Sequence, residues 1–159
     1  MGTKNSTLVS NFEATPPVMN DVSLLHGVLR VAQGTIALAA GDSDNDDIVM
    51  LAPIPSNATV AHIFIASDTF GGSCTFNVGI YTDAGVVKDE DVFATAVADA
   101  AAMADVRFEA ADINTAGQKM YELAGDSTDP GGYYYIAATM AAAGGTAGDM
   151  SFIIHYTVS

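Results

Sequence analysis

A chain of 159 residues with 19 acidic and 5 basic side chains, and so a formal charge of −14, is the size of one domain. Half of it is apolar, yet no stretch approaches the ~18 consecutive apolar residues of a membrane-crossing helix. With so few cations to release counterions, DNA and anionic membranes are poor candidate partners, and the single cysteine, Cys74, excludes an internal disulfide.

Residues 1–27 differ from the remainder: they are polar, thinly dotted with Leu8, Val9, Phe12, Val18 and Met19, and interrupted by Pro16 and Pro17, which favour extended backbone. Such a segment cannot offset its ordering entropy alone, so it is expected to be an N-terminal arm that packs on its own body or on a neighbour. One helical turn over Asn20–Gly27 fits the capping residues at its two ends. The opening six residues lack the basic and apolar segments of a secretory signal. Their match to a myristoylation pattern, and the sequons at Asn5 and Asn57, are short enough to recur by chance.

Residues 28–159 are expected to form a single β-sandwich domain. Leu29–Leu38 reads as a strand, followed by an acidic loop over Gly41–Asp47 and a strand over Ile48–Leu51 that Pro53 and Pro55 should end. Ala58–Ala66 places Ile63 and Ile65 on one face and Val60, His62 and Phe64 on the other, which predicts a central strand covered on both sides. In the clearest run, Cys74, Phe76, Val78 and Ile80 alternate with Thr75, Asn77, Gly79 and Tyr81. Asp89–Met103 is the one helical candidate, with acidic residues at its start and Val92, Phe93, Ala96, Val97 and Ala100 at helical spacing. Strands are expected again at Val106–Phe108, Lys119–Leu123, Tyr133–Met140 and Met150–Val158, the last pair separated by a flexible Ala141–Gly148. The total of about eight evenly punctuated strands predicts an all-β fold: an antiparallel β-sandwich, jelly-roll-like, with one short helix and the extended arm.

Little in this pattern carries chemistry. Asp42, Asp44 and Asp46 resemble the first half of a calcium loop, but the sixth position is Asp47 instead of Gly and the twelfth is Pro53 instead of Glu. A solvated acidic turn is the better reading and calcium the weaker one. His26, His62 and His155 lack metal-ligand spacing and read as structural or surface residues. There is no nucleophile elbow, phosphate loop or dinucleotide fingerprint, so no enzyme, catalytic residue or cofactor is expected. Tyr133, Tyr134 and Tyr135 are successive strand residues, so at least one should point outward, where ring and hydroxyl suit an interface.

Several stretches resemble small virion structural proteins of tailed bacteriophages, and among these the capsid decoration, or cement, proteins of the head. They are Asn5 to Asn20, Met50 to Ala58, Gly79-Ile80-Tyr81-Thr82 with Gly85-Val86-Val87, Val106 to Ile113, and Asp126 to Gly132. The resemblance implies a protein made in the host cytoplasm that binds a lattice of major capsid protein on the outer capsid surface of the virion. It further implies homotrimers at local three-fold positions, and no catalysis. The acidic charge fits independently, since packaged DNA would repel it. Arm residues Leu8, Val9, Phe12, Pro16, Pro17, Val18 and Met19 are then the expected contacts to capsid or neighbour. The alternative is a carbohydrate-binding or adhesin-like β-sandwich, weakened by the absence of tryptophan.

Overall fold

The computed structural model describes residues 14–16, 18, 28–100, 102–110 and 113–158. Leu8, Val9, Phe12, Pro17 and Met19, the expected turn at 20–27 and His26 lie outside the described residues. Pro16 and Val18 are exposed.

Among the described residues, alternation and turn chemistry give eight strands: β1 (Arg30–Leu38), β2 (Ile48–Pro55), β3 (Ala58–Ser67), β4 (Thr75–Tyr81), β5 (Val87–Ala98), β6 (Ala104–Asp105), β7 (Tyr133–Ala142) and β8 (Gly148–Val158). They form two four-stranded antiparallel sheets, A in the order β1-β8-β3-β6 and B in the order β2-β7-β4-β5. The first strand pairs with the last, the second with the seventh, the third with the sixth and the fourth with the fifth. A long hairpin rolled up on itself produces this arrangement, a jelly roll. Val60, Ile63, Ile65, Met150, Phe152 and Ile154 of sheet A pack against Ile54, Phe76, Val78, Ile80, Ile136 and Met140 of sheet B. Each such side chain contributes about 1.5–3 kcal/mol by leaving water. Cys74 is buried beside Met140, and burial pushes its thiol above the ordinary value.

Five local expectations are corrected. The segment read as a helix from Asp89 is strand β5, whose register against β4 shifts three times. Bulges break the two-residue period, so Phe93 and Ala94 are both buried, and Ala96 takes a left-handed φ of 52°. Conversely, Lys119–Leu123, read as a strand, holds the short helix α1 (Met120–Leu123). Met120 and Leu123 lie one turn apart and both are buried, and the Glu122 carboxylate caps the helix by accepting the Lys119 N–H at 2.8 Å. Val106–Phe108 is not a strand, because after β6 the chain turns.

β2 runs through Pro53 and Pro55 instead of stopping before them. It is an edge strand; the Ser56 N–H reaches the Gly132 carbonyl at 3.0 Å, which turns the Ile54 and Ser56 backbone toward β7 and the proline nitrogens toward the open side. Finally, β3 is central but covered on one face alone. A bulge between Val60 and His62 returns Val60 to the core with Ile63 and Ile65, leaving His62 exposed and Phe64 half-buried.

Candidate functional site

The two outer faces of the sandwich are the surfaces available for recognition, and they are built differently. On sheet B, the edge strand β5 folds over its neighbour. At Gly79 its backbone comes so close that an added Cβ would sit 2.1 Å from the Asp89 carbonyl oxygen and 2.3 Å from the Glu90 carbonyl carbon, so only glycine fits. Asn77 secures the overlap, its Nδ2 donating to Glu90 Oε1 at 2.7 Å and its Oδ1 accepting the Ala96 N–H at 2.9 Å. Beneath this cover Tyr81 is buried and hydrogen-bonds the Thr139 hydroxyl; burial raises its pKa, and the carboxylates of Glu90, Asp89 and Asp91 add to the rise. Burial also lifts the Asp89 carboxyl, helped by the charge of Asp91.

The three tyrosines of β7 divide as strand geometry requires. Tyr133, 63% exposed, and the half-buried Tyr135 point outward opposite Pro55 and Pro53 of β2. Tyr135 lies in register with Tyr81, which faces Val87, so an apolar row crosses all four strands of sheet B. Tyr134 points inward and is not an outward contact: its hydroxyl donates to Asp126, and its pKa is pushed up to about 12, first by burial and then by that carboxylate. Lys88 Nζ bonds both Asp126 oxygens, at 3.0 and 3.2 Å, which ties the start of β5 to the segment after α1. The bonds from Tyr134 and Lys88 hold the Asp126 carboxyl below the ordinary carboxylate value.

The acidic loop is occupied with its own backbone. Asp42 accepts the Ala39 N–H at 2.8 Å and Asp47 accepts the Asp44 N–H at 2.9 Å. Asp46, at a φ of 70°, donates its N–H to the Met140 carbonyl at 2.8 Å. Asp42, Asp44 and Asp46 do not converge, and among the described residues no group of three His, Cys, Asp or Glu side chains could hold a metal. An open groove of about 440 Å³ runs beside this loop between the edges of β1 and β2, lined by Ile36, Leu38, Asp42, Asp47, Ile48 and Met50 among others.

Sheet A carries a cluster that sequence spacing gave no means of finding. The register sets His62 of β3 opposite His155 of β8, with ring centroids 5.9 Å apart and Phe64 within 5.6 and 5.7 Å of the two rings. His62 Nδ1 lies 2.6 Å from Asp105 Oδ2. Burial pushes the Asp105 carboxyl up, but the bonds from His62 and from the Arg107 and Ile63 N–H groups outweigh it and hold the group below its ordinary value.

Under this corner Arg107 is fully buried. Its Nε donates to the Val60 carbonyl at 3.1 Å, Nη1 to the Thr115 hydroxyl at 3.3 Å and Nη2 to the Thr115 carbonyl at 3.1 Å. The Phe93 and Phe108 rings lie 4.8 and 4.5 Å from the guanidinium carbon. Burial lowers its pKa to about 10, opposed by Asp105. The group pins β3, β5 and the turn after β6 together, a structural use of a charge.

No protein-family model matches the chain, and no curated protein matches it. Among solved structures, 84% of it aligns with 86% of a chain of the Cyanophage Pam1 capsid asymmetric unit, at 12% identity and a TM-score of 0.50. A chain of the capsid of Ralstonia phage GP4 aligns over 84% of this chain and 86% of its own, at 19% identity and a TM-score of 0.49. For the acidic stable capsid structure of Helicobacter pylori bacteriophage KHP30 the figures are 82%, 88%, 14% and 0.40. At 12% identity the first of these is a likeness of fold: this chain is a jelly-roll β-sandwich of a kind also found in a phage capsid.

Proposed function

We propose that the protein is a structural component of a phage virion, a decoration or cement protein that binds the outer surface of an assembled capsid lattice and stabilises it. The observation that carries this reading is the fold shared with a chain of a phage capsid over most of both lengths. The sequence resemblance to head decoration proteins, which rests on different information, supports it. A net charge of −14 favours the outside of a shell packed with DNA.

Binding then rests on many modest contacts repeated by lattice symmetry, and residues 1–27 form the arm that clasps neighbouring subunits, making attachment depend on the assembled shell. Trimers around local three-fold positions are the arrangement that the resemblance implies on that shell. The test compares decoration of empty capsids by the full chain and by a chain lacking residues 1–27, followed by imaging of the particles. The expected result is density on the outer surface with the full chain and an affinity lowered by about tenfold or more without the arm. Unchanged affinity removes the clasping role, and absence of the full chain from the particles removes the decoration role.

A further inference from the structure

The two ends of the sandwich differ in chemistry. Arg30 of β1 lies opposite Tyr156 near the end of β8, β2 finishes at Pro55 opposite Tyr133, β4 finishes at Tyr81 beside Tyr135 and Val87, and β3 begins at Ala58. All of these share one end. Helix α1 lies there too, because the Tyr121 N–H reaches the Ser56 carbonyl at 3.0 Å and Lys119 bridges to Thr59. The loops after β1, β3 and β7 and the last residues of β5 make the opposite end, where the N–H groups of Asp46, Asp68 and Asp99 meet the carbonyls of Met140, Asp149 and Cys74.

That opposite end holds the four aspartates of the 42–47 loop with Asp68, Asp99 and Asp149, and among the described residues no Lys or Arg. The α1 end holds every described cation outside the core: Arg30, Lys88 and Lys119. Four carboxylates stand with them. Glu122 accepts the Lys119 N–H at 2.8 Å, Asp126 binds Lys88 and Tyr134, and Asp129 accepts the Ser56 hydroxyl at 2.6 Å. Asp83 occupies the turn from β4 to β5, and Asp89, Glu90 and Asp91 stand on the sheet B flank beyond it. Exposed apolar side chains follow the same division. Val28, Leu29, Val86 and Val87 of the α1 end are 76%, 55%, 60% and 50% exposed, and Tyr133 stands among them, whereas the acidic end shows Ile48 at 42%. Met103 lies over the sheet A flank, beside Gln33 and Ser151.

We propose that the α1 end is the surface that the body of this protein sets against an apolar protein surface of the assembled capsid lattice, with the acidic end turned to solvent. This rests on the decoration reading and deepens it by choosing the contacting surface. The entry of the chain selects the lattice as occupant. Val28 and Leu29 lead from the arm into Arg30 at this end, so the segment proposed to clasp the shell is continuous with the exposed apolar residues. An arm held on the shell keeps this end beside it at high effective concentration. Desolvation selects the same end: apolar side chains gain by leaving water, and a carboxylate is costly to cover unless it is already partnered, as Glu122, Asp126 and Asp129 are. Copies set side by side on a shell in this orientation all direct their acidic ends into water, where salt screens them.

Binding to empty capsids by three forms of the full chain tests it: unaltered, L29E/Y133E at the α1 end, and D44R/N45R at the acidic end. All four positions are exposed, and circular dichroism checks folding. L29E/Y133E should weaken binding about tenfold or more, because two new carboxylates must be desolvated at the contact. D44R/N45R should stay within about twofold of the unaltered chain, as changes to solvated surface charge do. Should L29E/Y133E misfold, hydrogen exchange of the unaltered chain on and off the particles decides, with protection expected over 28–31, 86–88 and 133–135 and none over 42–47. Sedimentation velocity of the free chain covers the remaining occupant, a second copy. Full binding by L29E/Y133E, loss of binding by D44R/N45R, protection at the acidic end instead, or a soluble oligomer that L29E/Y133E dissociates would each overturn the proposal and leave the decoration reading standing. Absence of the unaltered chain from the particles would overturn both.

Discussion

The outer faces of the two sheets solve the same problem in opposite ways. Sheet B is closed by its own edge strand, which crosses Gly79, buries Tyr81 and spreads Asp89, Glu90 and Asp91 over the top. Sheet A has no such cover, and two histidines and a phenylalanine gather on its outer face beside Asp105. The difference teaches that a charge of −14 says little about any one surface. Folding lays three of the acids along β5 over sheet B, whereas on sheet A Asp105 is engaged by His62 and Asp149 stands exposed beside Ala37.

The strongest way to break the comparison is Gly79→Ala. Its Cβ would collide with backbone, which cannot swing aside as a long side chain could, so β5 must lift from sheet B. A loss of about 3 kcal/mol is expected in urea unfolding, with Tyr81 becoming accessible to solvent. Next is Arg107→Met, which undermines the corner beneath sheet A. It removes the guanidinium donor from the Val60 carbonyl and one of the donors to the Thr115 carbonyl, which keeps the Gln118 N–H at 3.1 Å, for a loss of about 2 kcal/mol, and Arg107→Lys should recover little because an ammonium cannot span both carbonyls and stack on two rings. Equal stability of the Met variant would mean that apolar stacking alone holds the corner.

The smallest effect sharpens the account of how β5 is anchored. Tyr134→Phe removes the hydroxyl bond to Asp126, with a loss under about 1 kcal/mol at neutral pH. Its signature is the pH profile. Tyr134 is raised from 10.0 to about 12, so its contribution is fully present below pH 10.0 and lost as pH rises toward 12, and the Phe variant should lack that alkaline loss. At the acid end Asp126 is held below 3.8; its contribution is present above that value and is lost as pH falls through the lower folded value, so the variant should lose less stability there. Identical profiles for the two chains would separate Tyr134 from the anchoring of β5.

Much of the architecture was legible because a half-buried strand writes its two faces into alternate residues. Cys74 through Tyr81 is the plainest case, and β7 and β8 follow it closely. Each departure has its own physical cause. In β5 the bulges break the two-residue period, and the apolar residues Val92, Phe93, Ala96, Val97 and Ala100 then fall at a spacing that mimics a helix. In α1 a single turn was too short for a period to declare itself, and in β2 the two prolines were read as a stop because their edge position was unknown. The candidate site was less legible. Tyr133 and Tyr135 could be placed outward by parity alone, but His62, His155 and Asp105 are far apart in the chain, and their meeting depends on cross-strand register. Arg107 looked like any strand cation until three elements closed around it.

By itself, then, the order of residues determined an all-β chain, its turns, its buried alternation and its charge, since each of these depends on neighbours a few positions away. Tertiary structure alone decided which strand lies beside which, where the bulges fall, which prolines face an open edge and which face of the sandwich is left bare. Those outcomes depend on pairings between residues scores of positions apart, and no local pattern encodes the register that joins them.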